Sequence, residues 1–292
     1  MLRENQVVVS FIPSPSRNGF YLGPLFVHFY GLCYVVGISA AIVLTRRLWR
    51  ARGGDPDLVY TVAMWGVPAG IVGARLYHDI TSWNEVPHNW YGWLAVWEGG
   101  LGIWGGIVCG VAGGMIPLYK ARVNIPAFLD AAAPGILAAQ AFGRIGNYFN
   151  QELFGGPTTL PWGLEIEPAH RPTRYLAYST FHPTFLYELI WDLSLAAVLS
   201  WVVLRGKVRP PGVFALYVTG YSAFRIFEET LRVDPSHHIL GERLNFWVAC
   251  LLTLAGGIWF VFTQRHGRES GAEPGAAAAQ QQPAGGARAA PP

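Results

Sequence analysis

The chain is short of charge. Of its 292 residues only 13% are Asp, Glu, Lys or Arg, while 52% are hydrophobic. Soluble domains carry about 25% charged residues, so an ordinary water-facing surface is excluded. Cysteine is equally scarce. Cys33, Cys109 and Cys250 each fall inside an apolar stretch, and their spacing matches neither a metal site nor a redox pair; they read as packing residues. No basic stripe marks a nucleic-acid face, no soluble domain interrupts the apolar segments, and no strong internal repeat is visible. The opening Met1-Leu-Arg-Glu-Asn-Gln6 lacks the pattern of a cleaved leader, and the first long apolar run is too long for one.

What is present in abundance is uncharged apolar sequence in lengths of about 20 residues, enough to cross the hydrocarbon core of a bilayer. Seven spans are expected: Leu25–Thr45, Leu58–Ile80, Trp93–Tyr119, Ile125–Phe142, Tyr187–Leu204, Val213–Thr230 and Leu244–Phe262. The fold class is therefore all-α and polytopic. The 12 Trp and 13 Tyr suit a protein with two membrane–water interfaces to line.

The net charge of +3 is carried mostly by short clusters that alternate between links. Arg46, Arg47, Arg50 and Arg52 follow the first span, Lys120 and Arg122 the third, Arg205, Lys207 and Arg209 the fifth, and Arg265 and Arg268 the seventh. Excess Lys and Arg mark the cytoplasmic side, which places the N-terminus outside and the C-terminus inside. Arg171, Arg174, Arg232 and Arg243 run against this pattern and call for another role. The link from Arg144 to Pro183 is the longest, and its aromatics indicate a packed loop. The Ala-, Gly-, Pro- and Gln-rich stretch 267–292 is expected to be a disordered cytoplasmic tail behind a membrane domain covering 1–266. Glycines at 102, 106 and 110 of span three allow close helix packing, and Pro68 and Pro134 sit mid-span.

Ionisable groups at membrane depth are costly and mark function by default. Four places qualify. In span six, Tyr221, Arg225 and Glu229 fall at i, i+4 and i+8, with Arg232 one turn on, so hydroxyl, guanidinium and carboxylate share one helix face; a structural ion pair has the same spacing. At the end of span four, Arg144 and Asn147 are one turn apart and Asn150, Gln151, Glu152 and Gly155 follow. That density of hydrogen-bonding groups suits a phosphate, which Arg binds with a planar fork of donors, or an interfacial anchor. Arg75, Tyr77, His78 and Asp79 near Glu98 form a third group, and His28-Phe-Tyr30-Gly31 a fourth. Residues alone point to an Arg-lined cavity that handles a phosphate bearing an acyl chain.

The run Gly143-Arg-Ile-Gly-Asn-Tyr-Phe-Asn-Gln-Glu-Leu-Phe-Gly155 resembles the signature of prolipoprotein diacylglyceryl transferases. His28–Gly31, His182-Pro-Thr-Phe-Leu-Tyr-Glu188 and Gly220-Tyr-Ser-Ala-Phe-Arg-Ile-Phe-Glu-Glu229 agree in order and approximate spacing, so the similarity runs from about Gly23 to Phe262. The resemblance implies seven helices in a bacterial cell membrane with the N-terminus and active site outside. It implies transfer of the sn-1,2-diacylglyceryl group of phosphatidylglycerol to the lipobox cysteine of a preprolipoprotein, forming a thioether and releasing glycerol phosphate. The partners it implies are phosphatidylglycerol, the signal peptide of the preprolipoprotein and the bilayer, with no nucleic acid, metal or organic cofactor. By position, Arg144 matches the essential lipid-binding arginine, Asn147, Glu152 and Gly155 its companions, Tyr30 the tyrosine of the first span, and Tyr221, Arg225 and Glu229 the stripe of the sixth. Many members carry a His before Gly-Gly in the third span, proposed as a base; Trp104 stands there instead, and Trp cannot accept a proton. His28, His78, His182 and Glu229 remain candidates for that role. The readings that compete with transfer are a transporter or a non-catalytic binder of an anionic lipid or solute, which would lack chemistry, and an intramembrane protease, for which the serine elbow around Ser222 is incomplete.

Overall fold

The computed structural model describes residues 11–86, 89, 91–94, 96 and 99–266. The stretch 267–292 and Glu98 lie outside them.

Among the described residues seven long helices form the body: α1 (Phe29–Ala51), α2 (Asp57–Thr81), α3 (Ile103–Lys120), α4 (Ile125–Asn150), α5 (Thr184–Arg205), α6 (Gly212–Leu231) and α7 (Leu244–His266). All but α6 are long and apolar enough to cross a membrane by length and composition. The exception carries Arg225, Glu228 and Glu229 in its last three turns, so the helix that fails on apolarity is the one with the polar stripe. Apolar side chains cover the outside: Val35, Ile80, Val108, Val198, Leu251 and Phe262 are all exposed. A surface of that kind needs lipid rather than water around it.

The boundaries depart from the sequence-based spans where backbone pairing competes with apolarity. Residues expected to open span one instead form β2 (Leu25–His28), which pairs antiparallel with β1 (Gly19–Leu22) through a turn at Gly23, whose φ of 61° suits glycine. Helix α3 begins at Ile103, not Trp93, and Gly92–Leu94 form a short 3-10 turn instead. Helix α4 continues to Asn150 rather than stopping at Phe142, so Arg144 and Asn147 lie on helix and the long link starts only at Gln151, which takes a left-handed conformation and ends the helix. Asn124 caps the other end by accepting the Ala127 N–H at 3.1 Å. Two further ribbons, β3 (Leu164–Glu165) with β4 (Thr180–Phe181) and β5 (His238–Ile239) with β6 (Glu242–Arg243), make the chain helical with small β elements rather than purely α.

Helices α2 and α3 pack on each other along their length. A Cβ on Gly105 would strike the Gly73 carbonyl, and one on Gly73 would meet Cys109 and the Gly105 carbonyl, so the glycines act as packing residues. Helix α1 lies against α4, α4 against α5, and α6 against α7. The main apolar core, including Leu48, Trp49, Val59, Leu118, Phe128 and Val203, gathers at the end where α1, α3 and α5 finish and α2, α4 and α6 begin. At the opposite end the long link folds into its own core of Phe154, Leu164, Ile166 and Phe181, with Tyr148, Tyr175 and Phe185 against it. It is a packed loop, as its aromatics require.

Candidate functional site

The last two turns of α4, the first turns of α5 and the second half of α6 converge beneath the packed loop. Residues one turn apart on a helix share a face, so each helix delivers its polar groups as a set: Arg144 and Asn147 from α4, Glu188 and Asp192 from α5, and Tyr221, Arg225, Glu228 and Glu229 from α6.

Arg144 lies at the centre. Its Nη2 is 2.6 Å from Glu188 Oε1 and 3.5 Å from the Tyr221 hydroxyl, and its Nη1 donates to Asn147 Oδ1 at 3.3 Å. Asn147 in turn donates to Glu152 Oε1 at 2.8 Å, where Asn150 also donates at 3.3 Å. Arg225 Nη1 donates to Glu228 Oε2 at 2.5 Å and lies 3.4 Å from Glu188 Oε2, so Glu188 bridges the two arginines. The other Arg225 nitrogen binds Glu229. Glu229 is held from its far side by Arg243 Nε at 2.7 Å, with Arg232 3.8 Å away. Arg243 and Arg232 then meet on Asp234, at 2.8 and 2.7 Å. Burial alone would raise the Asp234 carboxyl, but hydrogen bonds and charge from Arg232 and Arg243 outweigh it and hold the group below the usual carboxylate range.

The Glu188, Glu228 and Glu229 carboxylates are shielded, whereas the Arg144 and Arg225 side chains stay 17% and 14% exposed. Cations fixed by buried anions and still open on one side can receive a further anion. Beside them a cavity of about 490 Å³ is lined by Arg17, His28, Asn150, Glu152, Glu167 and His170, so Glu152 is common to cavity and cluster.

The structure thus brings together Arg144, Asn147, Glu152, Tyr221, Arg225 and Glu229. Tyr30 reaches the edge: its ring occupies the space that a Cβ on Gly146 would need, its hydroxyl bonds Tyr34 at 3.0 Å, and it lies within electrostatic reach of Glu152 and Arg144. Gly155 touches neither arginine. Its N–H donates to the His182 carbonyl at 2.9 Å and it bridges to Arg232, where a Cβ would meet His182, so its place is to let the loop lie close over α5 and α6. Arg75 belongs to a separate group: its guanidinium binds the carbonyls of Gly92 and Gly99 at 2.5 and 2.7 Å and lies 3.0 Å from Asp79, pinning the link before α3. Trp104 is 59% exposed on α3, which packs against α2, and stands apart from the cluster.

Sequence reasoning did not single out Glu228, Asp192, Asp234 or the partner role of Arg243, and it quoted Glu188 only as part of a motif. A signal existed for the α5 pair: Glu188 and Asp192 are i, i+4 acids in an otherwise apolar span. Nothing in the linear sequence pairs Arg243 with Glu229; the β5–β6 ribbon turns the chain back to do so.

The model of the family described as prolipoprotein diacylglyceryl transferase matches residues 17–263. The chain is 48% identical to the phosphatidylglycerol–prolipoprotein diacylglyceryl transferase of Cutibacterium acnes over 88% of this chain and 88% of that one. It is 47% identical to transferase 2 of that name from Streptomyces coelicolor over 84% and 78%, and 45% identical to the one from Paenarthrobacter aurescens over 89% and 86%.

Proposed function

The chain belongs to the prolipoprotein diacylglyceryl transferase family, and from that premise we propose how its partly open arginines carry out the reaction. The protein is a transferase of lipoprotein biosynthesis that moves a diacylglyceryl group from phosphatidylglycerol to a prolipoprotein. The acceptor is the thiol of the lipobox cysteine, none of the enzyme's own cysteines, and the attacked carbon is the glycerol carbon esterified to phosphate.

The observation that carries the proposal is the pair of partly open guanidiniums, Arg144 and Arg225, joined by one buried carboxylate. The phosphodiester arrives with one negative charge and gains another as its C–O bond breaks. Two cations already fixed in place stabilise that charge without reorganising. Glu188, Glu228 and Glu229 supply the fixing, and Asn147 Oδ1 and the Tyr221 hydroxyl accept from Arg144 and help hold its guanidinium. Tyr30, Glu152 and Gly155 shape the substrate side, the first two beside Arg144 and the last through the loop above it.

The arrangement in the membrane follows from charge. Seven spans with the N-terminus outside and the C-terminus cytoplasmic put the Arg-rich ends of α1, α3, α5 and α7 inside, and the arginine cluster at the outer leaflet of the bacterial cell membrane, where phosphatidylglycerol arrives sideways and the signal peptide lies in the same plane. Residues 1–266 form the transferase domain and 267–292 a cytoplasmic tail. Span six tolerates its charges because they face one another inside the bundle.

The test is transfer from phosphatidylglycerol labelled in its diacylglyceryl part to a peptide bearing the lipobox cysteine, using purified protein in detergent, with a Cys→Ala peptide alongside. Label on the cysteine peptide alone is expected. Lipid binding without transfer would instead support a binder or transporter built on the same arginines.

A further inference from the structure

Carboxyls outnumber guanidiniums in the cluster. Arg144, Arg225, Arg232 and Arg243 face Glu188, Glu228, Glu229, Asp192 and Asp234. The surplus concentrates at one place. Glu188 and Glu228 are 0% and 1% exposed, and both lie on Arg225 Nη1, at 3.4 and 2.5 Å. Two carboxylates crowded onto one nitrogen in a buried site repel each other, and one proton held between them relieves that repulsion. Asp192, one turn further along α5, is fully buried, and neither of its oxygens has a donor among the described residues.

The other proton acceptors are poorly placed. Trp104 has no basic site. Both Glu229 oxygens are taken by Arg225 and Arg243. His182 bonds Tyr187 at 3.2 Å, His78 lies against Gly100, and His28 lines the cavity outside the cluster.

We propose that the Glu188–Glu228 carboxyl pair is the proton carrier of the transfer reaction, accepting the proton of the lipobox thiol and passing the proton it already holds to the departing glycerol phosphate. The inference rests on the transferase reading. One C–S bond forms and one C–O bond breaks; the electron pair of the C–O bond stays on the phosphate oxygen. The thiol proton enters the pair, the pair's proton leaves on the phosphate, and glycerol phosphate departs as a monoanion. The pair ends the cycle with the one proton it began with, and nothing is oxidised or reduced. The groups facing the pair are Arg144 and Asn147 from α4, Asp192 from α5, and Tyr221, Arg225 and Glu229 from α6. Since the working state holds a single shared proton, transfer falls on both sides of a pH optimum.

The experiment compares wild type with Glu228→Gln, using phosphatidylglycerol and two peptides, one with the lipobox cysteine and one with selenocysteine, whose selenol ionises far more readily than a thiol. With the cysteine peptide at pH 7 the variant is expected to lose about 10²–10⁴ in rate. The loss should shrink about tenfold per pH unit toward the free thiol value of about 8.5, and by at least tenfold with the selenocysteine peptide. Glu228→Asp, which retains a carboxyl, should keep the wild-type shape of the pH profile at a lower rate, and it serves if the Gln variant does not fold. A Gln variant within threefold of wild type on the cysteine peptide would overturn the proposal. So would an equal deficit on both peptides at every pH, or an Asp variant whose profile rises with thiol ionisation alone. Absence of transfer by wild type would overturn the transferase reading itself, a result distinct from any of these.

Discussion

Two groups of buried charge lie at opposite ends of the same helices. At one end Asp130 of α4, completely buried, accepts the Phe214 N–H at 2.9 Å and lies 3.8 Å from Arg52. At the other, some fourteen residues along α4 or about 20 Å, Arg144 begins the network that reaches Arg243. The first group is a single pair: one carboxylate accepts the Phe214 N–H in the first turn of α6 and faces one cation. The second has more acids than bases, two arginines partly open, and a carboxyl pair that needs a proton. Buried charge is thus no mark of function by itself. What distinguishes the second group is its surplus of acids and its two arginines open on one side, where a further anion can bind.

Substitutions can break or sharpen this contrast. The largest effect is expected from Arg225→Gln, which strips the shared partner from Glu188, Glu228 and Glu229. Breaking such a network costs about 3–5 kcal/mol, so thermal unfolding in detergent should drop steeply and transfer should fall by more than the ~10³ typical of one lost donor. Asp130→Ala should cost about 1–3 kcal/mol in the same melt, yet leave transfer per folded molecule within about threefold, because it lies about 20 Å along α4 from the arginine cluster; a large loss of turnover there would erase the distinction. Asp234→Asn loosens Arg243 and through it Glu229, and should lower turnover about tenfold with lipid affinity nearly unchanged.

The acid limb offers a further check. The Asp234 carboxyl is lowered in the folded protein, so its contribution to stability is complete above the unfolded value of about 3.9 and is lost as pH falls through the lowered native one. His182 behaves oppositely in charge but alike in direction. Burial pushes its imidazole below the ordinary value, the unfolded chain takes up the proton first, and stability declines as pH falls below about 6.5. Replacing His182 with Gln should flatten that decline between pH 6.5 and the lowered native value in an unfolding series. The smallest effect is expected from Trp104→His: on an exposed face of α3, remote from the arginines, a new imidazole should change transfer less than about threefold, and a large gain would bring α3 into the chemistry.

Much of this was legible in the linear chain, for identifiable reasons. Low charge and apolar runs announced the helices, and the i, i+4, i+8 stripe of Tyr221, Arg225 and Glu229 is visible because helix period is a local property. Boundaries failed where apolar residues entered other structure: Leu25–His28 is as apolar as a helix start but pairs with Gly19–Leu22 instead. The partners of the arginines were hidden because they come from other helices. Glu188 reaches Arg144 across α4 and α5, and Arg243 reaches Glu229 only through the β5–β6 turn. Asp130 drew no attention at all, since a single acid near a helix start looks like any other interfacial charge.

The role proposed for Arg144 is to stabilise the phosphate as it leaves. The direct measurement is the single-turnover rate of thioether formation by Arg144→Gln against wild type, at saturating phosphatidylglycerol and with lipid binding measured on the same samples. The predicted result is a rate lower by about 10²–10³ in protein that still binds the lipid. An unchanged single-turnover rate, with any defect confined to lipid affinity, would contradict it and reduce Arg144 to an anchor.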